Sequence, residues 1–493
     1  MLLWLPFSAS SLLASPATPG LPEKPAPGPT GVDSKSCDDL TRLHPGVPCR
    51  LDLSKYRTED PVLTAIETEG VNSGRLFNGT LHKVSSAKDL KALRGKLQPG
   101  DQVVLADGTW KDQDIVVEGN GTPEHPIIVR ADHLGAVKLT GTSSAVFYGA
   151  NLIVYGLAFV DGGIYRQEAA VFRLGDGPKK PCNGCIADRI AIDGYNTDPA
   201  QWDTIKNHWV VLQGRNITVA NSAFTNKQNL GTMISPDLPL PSDECPQWAD
   251  SQGDCFQHLL FINNTVSGFS KNHHHDPDNG EYKLIQLGWS GISTRSAYSV
   301  LEGNLFEYAD GSNETLSIKA SDVIIRKNRF HANIGTLNLR SSNRVLIENN
   351  VFDGDGQTSM GGVRIEAKDH WIVHNLFKNL IKPTGYDYWP IAIHTASEEE
   401  LTDNYEDYAR VKNVVIADNL FDHDEVPTIA VGIFPEPKQN RLLLPKNLYI
   451  LDNTFHIAAN DRRCAVPVFF EGGADKYENI VLKDNDPVCG SAH

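Results

Sequence analysis

The feature that most constrains this chain is a short phrase of β-branched and apolar residues followed by Asn, one variable residue and Phe. Six copies end at Phe306, Phe330, Phe352, Phe377, Phe421 and Phe455. Their asparagines are Asn304, Asn328, Asn350, Asn375, Asn419 and Asn453, and the first four are 24, 22 and 25 residues apart (328−304, 350−328, 375−350). Weaker copies occur earlier, in NITVANSAF and LLFINNTV. Such a repeat predicts stacked units rather than one globular core.

A repeat of this length with short strands and turns fits one coil of a right-handed, single-stranded parallel β-helix, which is an all-β solenoid. Coils stack ~4.8 Å apart, so equivalent residues of successive coils form ladders. We expect the Asn amides to stack at a tight bend and the Phe rings to stack inside. A leucine-rich repeat is disfavoured because its LxxLxL phrase is absent, and a β-propeller because its blades need about 40 residues. The β-helix domain is predicted over 101–493, with coils from about 101 to 482.

Residues 36–100 are predicted to form an N-terminal extension that ends in a capping helix. Ser85 or Ser86 caps the helix, whose apolar stripe is Leu90, Leu93 and Leu97. Pro99 and Gly100 end it. A cap of this kind covers the core and edge groups that an open β-helix end exposes.

The first 18 residues form an apolar run that ends in small residues, as in a secretory signal peptide, although no Lys or Arg opens it. A buried N-terminal segment is the alternative. Residues 19–35 are rich in Pro and Gly and indicate an extended linker. No later run reaches the ~18 apolar residues of a membrane span. We expect a secreted protein without a membrane partner.

The eight cysteines fall into four pairs of sequence neighbours, which predicts disulfides in an oxidising compartment. The pairs are Cys37 and Cys49, Cys182 and Cys185, Cys245 and Cys255, and Cys464 and Cys489. Sequons for N-glycosylation, also consistent with export, occur at Asn78, Asn120, Asn216, Asn263 and Asn313.

The formal charge of −16 and the pI near 5.4 argue against a nucleic-acid ligand, and they require a local basic patch for any other polyanion. Three related phrases supply such a patch: SNETLSIKASD, GTLNLRSSN and GGVRIEAKD. Their alignment gives one column of Lys319, Arg340 and Glu366 and a second column of Ser317, Asn338 and Arg364. Both columns point away from the apolar positions, so the cations should share one external face within ~10 Å along the axis. Two interpretations stay open, a solvated face and a groove for an anionic ligand.

Several phrases together resemble polysaccharide lyase family six, the parallel β-helix lyases that include alginate lyases and chondroitinase B. The similarity to the family's amino-terminal coils lies in ADGTW, GTPEHPIIVRA and GLAFVDGG. The similarity to its central coils lies in FTNKQNLG, DNGEYKLIQLG and NLFEYADGSNETLSIKAS. The likeness extends over roughly residues 80 to 380 and is collective.

The resemblance implies cleavage of a uronic-acid polysaccharide by β-elimination, with alginate the first expected substrate and dermatan or another glucuronan-like polymer the second. Lys319 matches the family's base. Arg340 matches its second catalytic residue, and because Arg does not readily release a proton we expect it to stabilise charge near the leaving oxygen. Arg364 matches a substrate-binding Arg, while Asn338 and Lys227 are further predicted substrate contacts. For Lys227, an ordinary surface lysine is the alternative.

The resemblance also implies a Ca²⁺ site made of an Asn and a Glu-x-Glu pair. Asn279 matches the Asn and Glu314 the second Glu, but Ser312 stands where the first Glu is expected. Carboxylates provide most of the affinity for Ca²⁺, so the calcium requirement stays open unless another carboxylate compensates. The candidates for that are Asp276, Asp278, Glu281 and Asp310. Ser341 replaces a histidine of chondroitinase B, which disfavours a chondroitin substrate.

Two other functions compete with the lyase. A hydrolase on the same fold needs two carboxylates ~5 to 9.5 Å apart, whereas the columns carry cations. A non-catalytic β-helix that binds anionic glycans would keep the groove without a complete calcium site. Zinc at His273, His274 and His275 is disfavoured because adjacent residues of a strand face opposite sides. We expect a monomer whose partner is an anionic polysaccharide.

Overall fold

The computed structural model describes residues 33–238, 256–270, 282–381, 388–402, 404, 407–424, 428–458 and 467–490. Within them the chain winds as a right-handed parallel β-helix, as predicted, and three parallel sheets run along its length. Every pairing between neighbouring strands in these sheets joins successive coils in parallel. The outer face of the second sheet carries the candidate site.

The first sheet has 14 strands. They are Leu81–Val84, Gln102–Leu105, Ile127–Ala131, Leu152–Tyr155, Ile186–Asp188, Thr218–Ala220, Leu260–Ile262, Ser296–Glu302, Ser321–Arg326, Val345–Glu348, Trp371–Val373, Lys412–Ala417, Lys446–Leu451 and Glu478–Lys483. The strand Leu81–Val84 comes before the capping helix, so strand pairing begins earlier than the predicted residue 101.

The second sheet has 13 strands. They are Asp114–Asn120, Ser144–Ala150, Ala169–Leu174, Cys182–Asn183, Asn207–Gln213, Ile234–Asp237, Ile285–Gly288, Glu314–Lys319, Gly335–Leu339, Met360–Ile365, Ile391–His394, Ile429–Ile433 and Val468–Phe470.

The third sheet also has 13 strands. They are Gly108–Lys111, Val137–Gly141, Ala158–Gly162, Ala191–Asp193, Ala223–Thr225, Thr265–Ser267, Leu305–Glu307, Arg329–His331, Val351–Asp353, Leu376–Lys378, Leu420–Asp422, Thr454–Ala458 and Asp486–Gly490.

The repeated Asn and Phe form the two predicted ladders. Each buried Asn amide donates to the Oδ1 atom of the next, for example Asn328 to Asn350 at 3.0 Å and Asn350 to Asn375 at 3.0 Å. The Phe rings stack inside, with centroids 4.5 Å apart between Phe330 and Phe352. The residue before each ladder Asn has a positive φ, and the side-chain hydrogen bonds hold this tight bend.

Short helices precede and interrupt the coils. The α-helices are Cys37–Leu43, Pro61–Glu69 and Ala87–Ala92, and the 3-10 helices are Leu53–Lys55, Pro199–Gln201, Ser290–Ile292, Pro437–Gln439 and Ala474–Lys476. The helix Ala87–Ala92 lies where the capping helix was predicted, and the Ser86 hydroxyl accepts from the Asp89 N–H at its start. It ends before Leu93 and Leu97, which were predicted to belong to it. In the part of the chain that the structure describes, no helix combines the length and apolarity needed to cross a bilayer.

The N-terminal extension covers the outer face of the first sheet. Leu40, Val47 and Leu51 pack there against a row of apolar residues that includes Leu346 and Trp371. Ile66 and its neighbours, which follow in the extension, pack against earlier coils of the same sheet. The extension therefore runs lengthwise over several coils and leaves the outer face of the second sheet to the candidate site.

Two of the four predicted disulfides lie among the described residues, and both are formed. They join Cys37 to Cys49 and Cys182 to Cys185. The other two predicted pairs involve Cys245, Cys255 and Cys464, which lie outside the described residues together with the side chain of Cys489. The predicted signal peptide and nearly all of the predicted linker lie outside them as well.

Candidate active site

Strand register brings one predicted column together on the outer face of the second sheet. Ser317 pairs with Asn338, and Asn338 pairs with Arg364, each on the next coil. The neighbouring positions, such as Leu337 and Val363, point into the core and are buried. This confirms the alternation that the sequence predicted, with apolar side chains turned towards the core and polar and cationic ones turned away from it. Ser317, Asn338 and Arg364 are nevertheless covered from solvent.

Arg340 and Arg364 share one buried carboxylate. Arg340 Nη1 lies 3.0 Å from Glu366 Oε2, and Arg364 Nη2 lies 2.8 Å from Glu366 Oε1. Burial alone would raise the pKa of Glu366, but Arg340 and Arg364 hold it below its usual value. A charged Glu366 thus fixes both guanidinium groups with charge-assisted hydrogen bonds.

Arg340 is fixed by a second set of contacts from a later loop. Its guanidinium carbon lies 3.8 Å from the centre of the Tyr408 ring, and Nη1 also donates to the Asp407 carbonyl oxygen at 3.4 Å. The guanidinium of Arg441 lies 3.6 Å from the centre of the same ring. Tyr408 is therefore sandwiched between two cations, as aromatic faces attract them.

Glu314 is the second buried carboxylate of the site. Its Oε2 atom lies 3.1 Å from Lys283 Nζ, and its Oε1 atom accepts from Asn338 Nδ2 at 2.7 Å. Burial alone would raise the pKa of Glu314, but the positive charges of Lys283, Lys319 and Arg364 hold it well below its usual value. Glu314 is therefore an anion paired with a lysine.

Lys319, the predicted base, is half-buried at the end of the strand Glu314–Lys319. Its pKa is lowered to about 8, first because burial disfavours the charged ammonium and then because Lys283 and Arg340 place positive charge nearby. Glu314 and Glu366 oppose that shift. An amine with this pKa is partly neutral at pH 8, so it can accept a proton.

A glycine on the preceding coil allows the chain to approach Lys319 closely. Gly288 pairs with Lys319 and has a φ of +72°. A Cβ atom on this residue would lie 2.6 Å from the Lys319 carbonyl oxygen. Any other residue would therefore displace the strand end that carries the predicted base.

Two predicted substrate contacts, Lys227 and Asn338, have side chains that are fully buried. Lys227 has no exposed surface, and its ammonium donates to the backbone carbonyls of Asn229 and Leu230 and lies over the Phe269 ring. Asn338 is equally buried and donates to Glu314. Both side chains are engaged inside the protein, where Lys227 supports the backbone and Asn338 orients Glu314.

The described residues around Glu314 do not fit a Ca²⁺ ion. Ca²⁺ needs six to eight oxygen ligands, but Glu314 faces an ammonium on one oxygen and an amide donor on the other. The Ser312 hydroxyl accepts from the Glu314 N–H instead of replacing the expected carboxylate. Asn279 and the three histidines lie outside the described residues, as do the compensating candidates Asp276, Asp278 and Glu281. Within those residues, no group of three or more His, Cys, Asp or Glu side chains could hold a metal.

Sequence reasoning missed several residues of this cluster. Lys283 stands two positions before Ile285, and Glu314 stands two positions before Leu316, the partner of Ile285. The alignment of equivalent positions on successive coils that predicted Arg340 could therefore have predicted Lys283 as well. Tyr408 and Arg441 had no comparable signal, because they reach the site from loops outside the aligned strands.

A parallel β-helix with Lys, Arg and Glu clustered on one external face is the arrangement expected of a β-helix polysaccharide lyase, and the family comparison shows that class for this chain. The sequence profile of the chondroitinase B family matches residues 84–448, about three quarters of the chain. The chain therefore belongs to the chondroitinase B family, within polysaccharide lyase family six as the resemblance implied.

Solved structures with a similar fold include the PL6 family alginate lyase AlyGC, with a TM-score of 0.70 and 24% identity over 82% of this chain. This chain spans only 51% of AlyGC. A mannuronic acid specific family 6 lyase from human gut microbiota has a TM-score of 0.66 and 23% identity, covering 81% of this chain and 83% of its own. The alginate lyase AlyF-OU02, in complex with G6, has a TM-score of 0.63 and 21% identity, covering 84% of this chain and 85% of its own.

These similarities establish the shared fold. Among curated proteins, none matches this sequence significantly.

Proposed function

We propose that this protein cleaves a uronate polysaccharide, alginate first, by β-elimination with Lys319 as the base. The observation that carries the proposal is an amine with a pKa of about 8 in a cluster that also holds Arg340 and Arg364. A β-elimination requires both a base and positive charge near the substrate carboxylate. The alginate lyases of similar fold support alginate as the first substrate.

The neutral amine of Lys319 takes the C5 proton of the uronate. The electron pair of the C5–H bond forms the C4–C5 double bond, and the bond from C4 to the leaving oxygen breaks. The leaving oxygen keeps the bonding electrons and is protonated from the medium, which balances the reaction. The products are a new chain end and an unsaturated sugar.

Arg340 and Arg364 supply the positive charge for this step. A C5 proton beside a carboxylate is weakly acidic because its removal adds negative charge to the carboxylate. Guanidinium groups already fixed by Glu366 stabilise that charge without reorganising during the reaction. Arg364 suits the carboxylate and Arg340 the leaving oxygen, in line with the resemblance.

Ultraviolet absorbance of the new double bond tests the proposal on alginate blocks, dermatan sulfate, pectate and glucuronan. We expect absorbance to rise with alginate and the Lys319→Ala variant to lose about 10²–10⁴-fold in turnover while still binding the polymer. Lys179→Ala, at an exposed lysine of the early coils, is the matched control and should keep its activity. Binding without absorbance would identify a glycan-binding protein, and undiminished turnover in Lys319→Ala would remove Lys319 as the base.

Dermatan sulfate is the second candidate substrate because the matching family is named for chondroitinase B. Ser341 argues for alginate over dermatan, since it is a buried residue where chondroitinase B has a histidine. The substrate panel separates the two polymers directly.

We also propose that the protein is exported, and the two formed disulfides support an oxidising compartment. N-terminal sequencing of the secreted product tests whether the first 18 residues are removed. An intact N-terminus on the exported protein would contradict a cleaved signal peptide.

A further inference from the structure

We propose that Lys283 takes the place of a bound calcium ion in this site, so that the enzyme needs no metal. Its ammonium supplies the positive charge beside Glu314 that the family resemblance assigns to Ca²⁺. The catalytic consequence of this inference rests on the proposed lyase function, but the metal independence does not.

Strand register places Lys283 beside Glu314. The two residues stand at equivalent positions on adjacent coils, each two residues before the paired Ile285 and Leu316. Lys283 Nζ lies 3.1 Å from Glu314 Oε2 and also 3.1 Å from Gln286 Oε1. Both charged side chains are nearly inaccessible, with side-chain exposures of 5% and 11%. A buried pair with these contacts is a built part of the site, unlike a mobile surface ion pair.

The Lys283 ammonium lies where a calcium ion would have to bind Glu314, and it already neutralises the carboxylate. A Ca²⁺ ion binds carboxylate oxygen at 2.3–2.6 Å, which would put it against the ammonium that already contacts Oε2. The other oxygen, Oε1, is engaged by Asn338. With Ser312 in place of a carboxylate, a calcium ion beside Glu314 would meet the Lys283 ammonium and the further positive charges of Lys319 and Arg364.

Lys283 acts on the reaction through its neighbours and is thus a positioning residue. Lys283 keeps Glu314 charged, and Glu314 in turn accepts a hydrogen bond from the Asn338 amide at the centre of the cluster. The charged groups around Lys319 are Lys283, Arg340, Glu314 and Glu366. Loss of Lys283 removes one of the two cations that oppose a charged Lys319 and leaves both carboxylates.

Calcium binding by the full-length wild-type protein gives the first test, and it requires no substrate. Protein treated with chelator is titrated with CaCl₂ in a calorimeter, and its melting temperature is compared with and without the ion. We expect neither binding heat nor a change in melting temperature at about 1 mM Ca²⁺. Binding that raises the melting temperature in this range would overturn the proposal.

A double-mutant cycle of Lys283→Met and Glu314→Gln gives the second test. Each single variant leaves one buried group without its ion-pair partner. The melting temperature of the double variant should therefore fall by less than the sum of the two single decreases. Lys179→Met, the same change at an exposed lysine, should melt like the wild type. Additive losses would show that the two residues are not coupled. If Lys283→Met does not fold, a folded double variant demonstrates the same coupling, and an unfolded one leaves the calcium titration to decide.

The pH profile of turnover shows whether Lys283 affects the proposed base or only stabilises the fold. In Lys283→Met, the acidic limb of kcat/KM should move to higher pH, and chelator should leave wild-type turnover unchanged. An unshifted limb or a loss of activity with chelator that Ca²⁺ restores would contradict the proposal. If no polymer is cleaved, the lyase function fails, and the calcium and coupling measurements still decide the role of Lys283.

Discussion

Lys319 shows how a single side chain becomes reactive through its surroundings. An exposed lysine is almost fully charged near neutral pH and cannot accept a proton. Burial at a strand end, with two further cations nearby, lowers the pKa of Lys319 to about 8. The carboxylates of Glu314 and Glu366 limit that shift, so the amine keeps enough basicity to be useful.

This environment predicts how activity depends on pH. The neutral amine is the active form, so kcat/KM should rise about tenfold per pH unit below the pKa and level off above about 8. Initial rates of double-bond formation between about pH 6 and 10 measure the profile. A rate that stays flat across this range would show that a lysine with this pKa is not the base.

The sequence predicted which side chains share the external face but not how deeply each lies. Spacing alone placed Ser317, Asn338 and Arg364 in one column, because the side-chain period of a strand is two. Whether a polar side chain is covered depends on the neighbouring coils and loops. For that reason Lys227 and Asn338 were predicted as surface contacts although both are buried.

At the scale of the element, the Asn ladder fixes each coil on the next. The side-chain Oδ1 atom of Asn350 accepts from both the backbone N–H and the side-chain amide of Asn328. Its own amide donates to Asn375 and to the Ile325 carbonyl. Every interior ladder Asn therefore satisfies buried groups on both sides, which explains why Asn recurs in the six strongest copies. In the weaker copy NITVANSAF, Ser222 takes this position, and its hydroxyl accepts from the Ile190 N–H.

The ladder predicts a position-dependent loss of stability. Asn350→Ala leaves two buried donors of Asn328 without their acceptor and should cost about 3 kcal/mol. Asn485→Ala, at the last and less buried rung, should cost less because water can replace the lost acceptor. Thermal unfolding of the two variants measures the difference. Equal losses would argue against the ladder as a source of coil stability.

At the scale of the whole molecule, the N-terminal extension ties distant coils together. Its first described residues reach late coils, where the Ser34 N–H donates to Glu348 Oε2 at 3.0 Å and His44 Nε2 lies 2.8 Å from Asp418 Oδ2. Its second helix contacts the early coils through Ile66. A solenoid is otherwise held by nearest-neighbour contacts, so this segment adds long-range ones.

The anchor at Glu348 predicts a pH dependence of stability. Burial raises the pKa of Glu348 to about 7 in the folded state, so the folded protein holds this proton more tightly than the unfolded chain. The penalty for the buried charge is absent below pH about 4 and is complete above pH about 7, where it reaches ~3 kcal/mol at most. Glu348→Gln should therefore melt higher than the wild type at pH 8 and alike at pH 4.

Glu124→Gln, at an exposed glutamate of the early coils, is the control and should melt like the wild type at both pH values. A Glu348→Gln variant that melts lower than the wild type at pH 8 would show that the charged carboxylate is needed to hold Ser34.

The coil architecture was predictable because one repeated phrase encodes both the bend and the core ladder. The path of the N-terminal extension was not, since its helices carry no repeat and their partners are scattered over many coils. Tyr408 escaped prediction for the same reason, as it contacts Arg340 from an irregular loop.

Successive rungs of the Asn ladder stay hydrogen-bonded whether 22 residues separate them, as between Asn328 and Asn350, or 44, as between Asn375 and Asn419. The longer interval contains Tyr408, whose ring packs against the Arg340 guanidinium. The ladder therefore accepts segments of very different length between its rungs, and such a segment can reach back to a residue of the candidate site. A change in the segment that carries Tyr408 should thus alter the setting of Arg340 while the stacked coils stay in register.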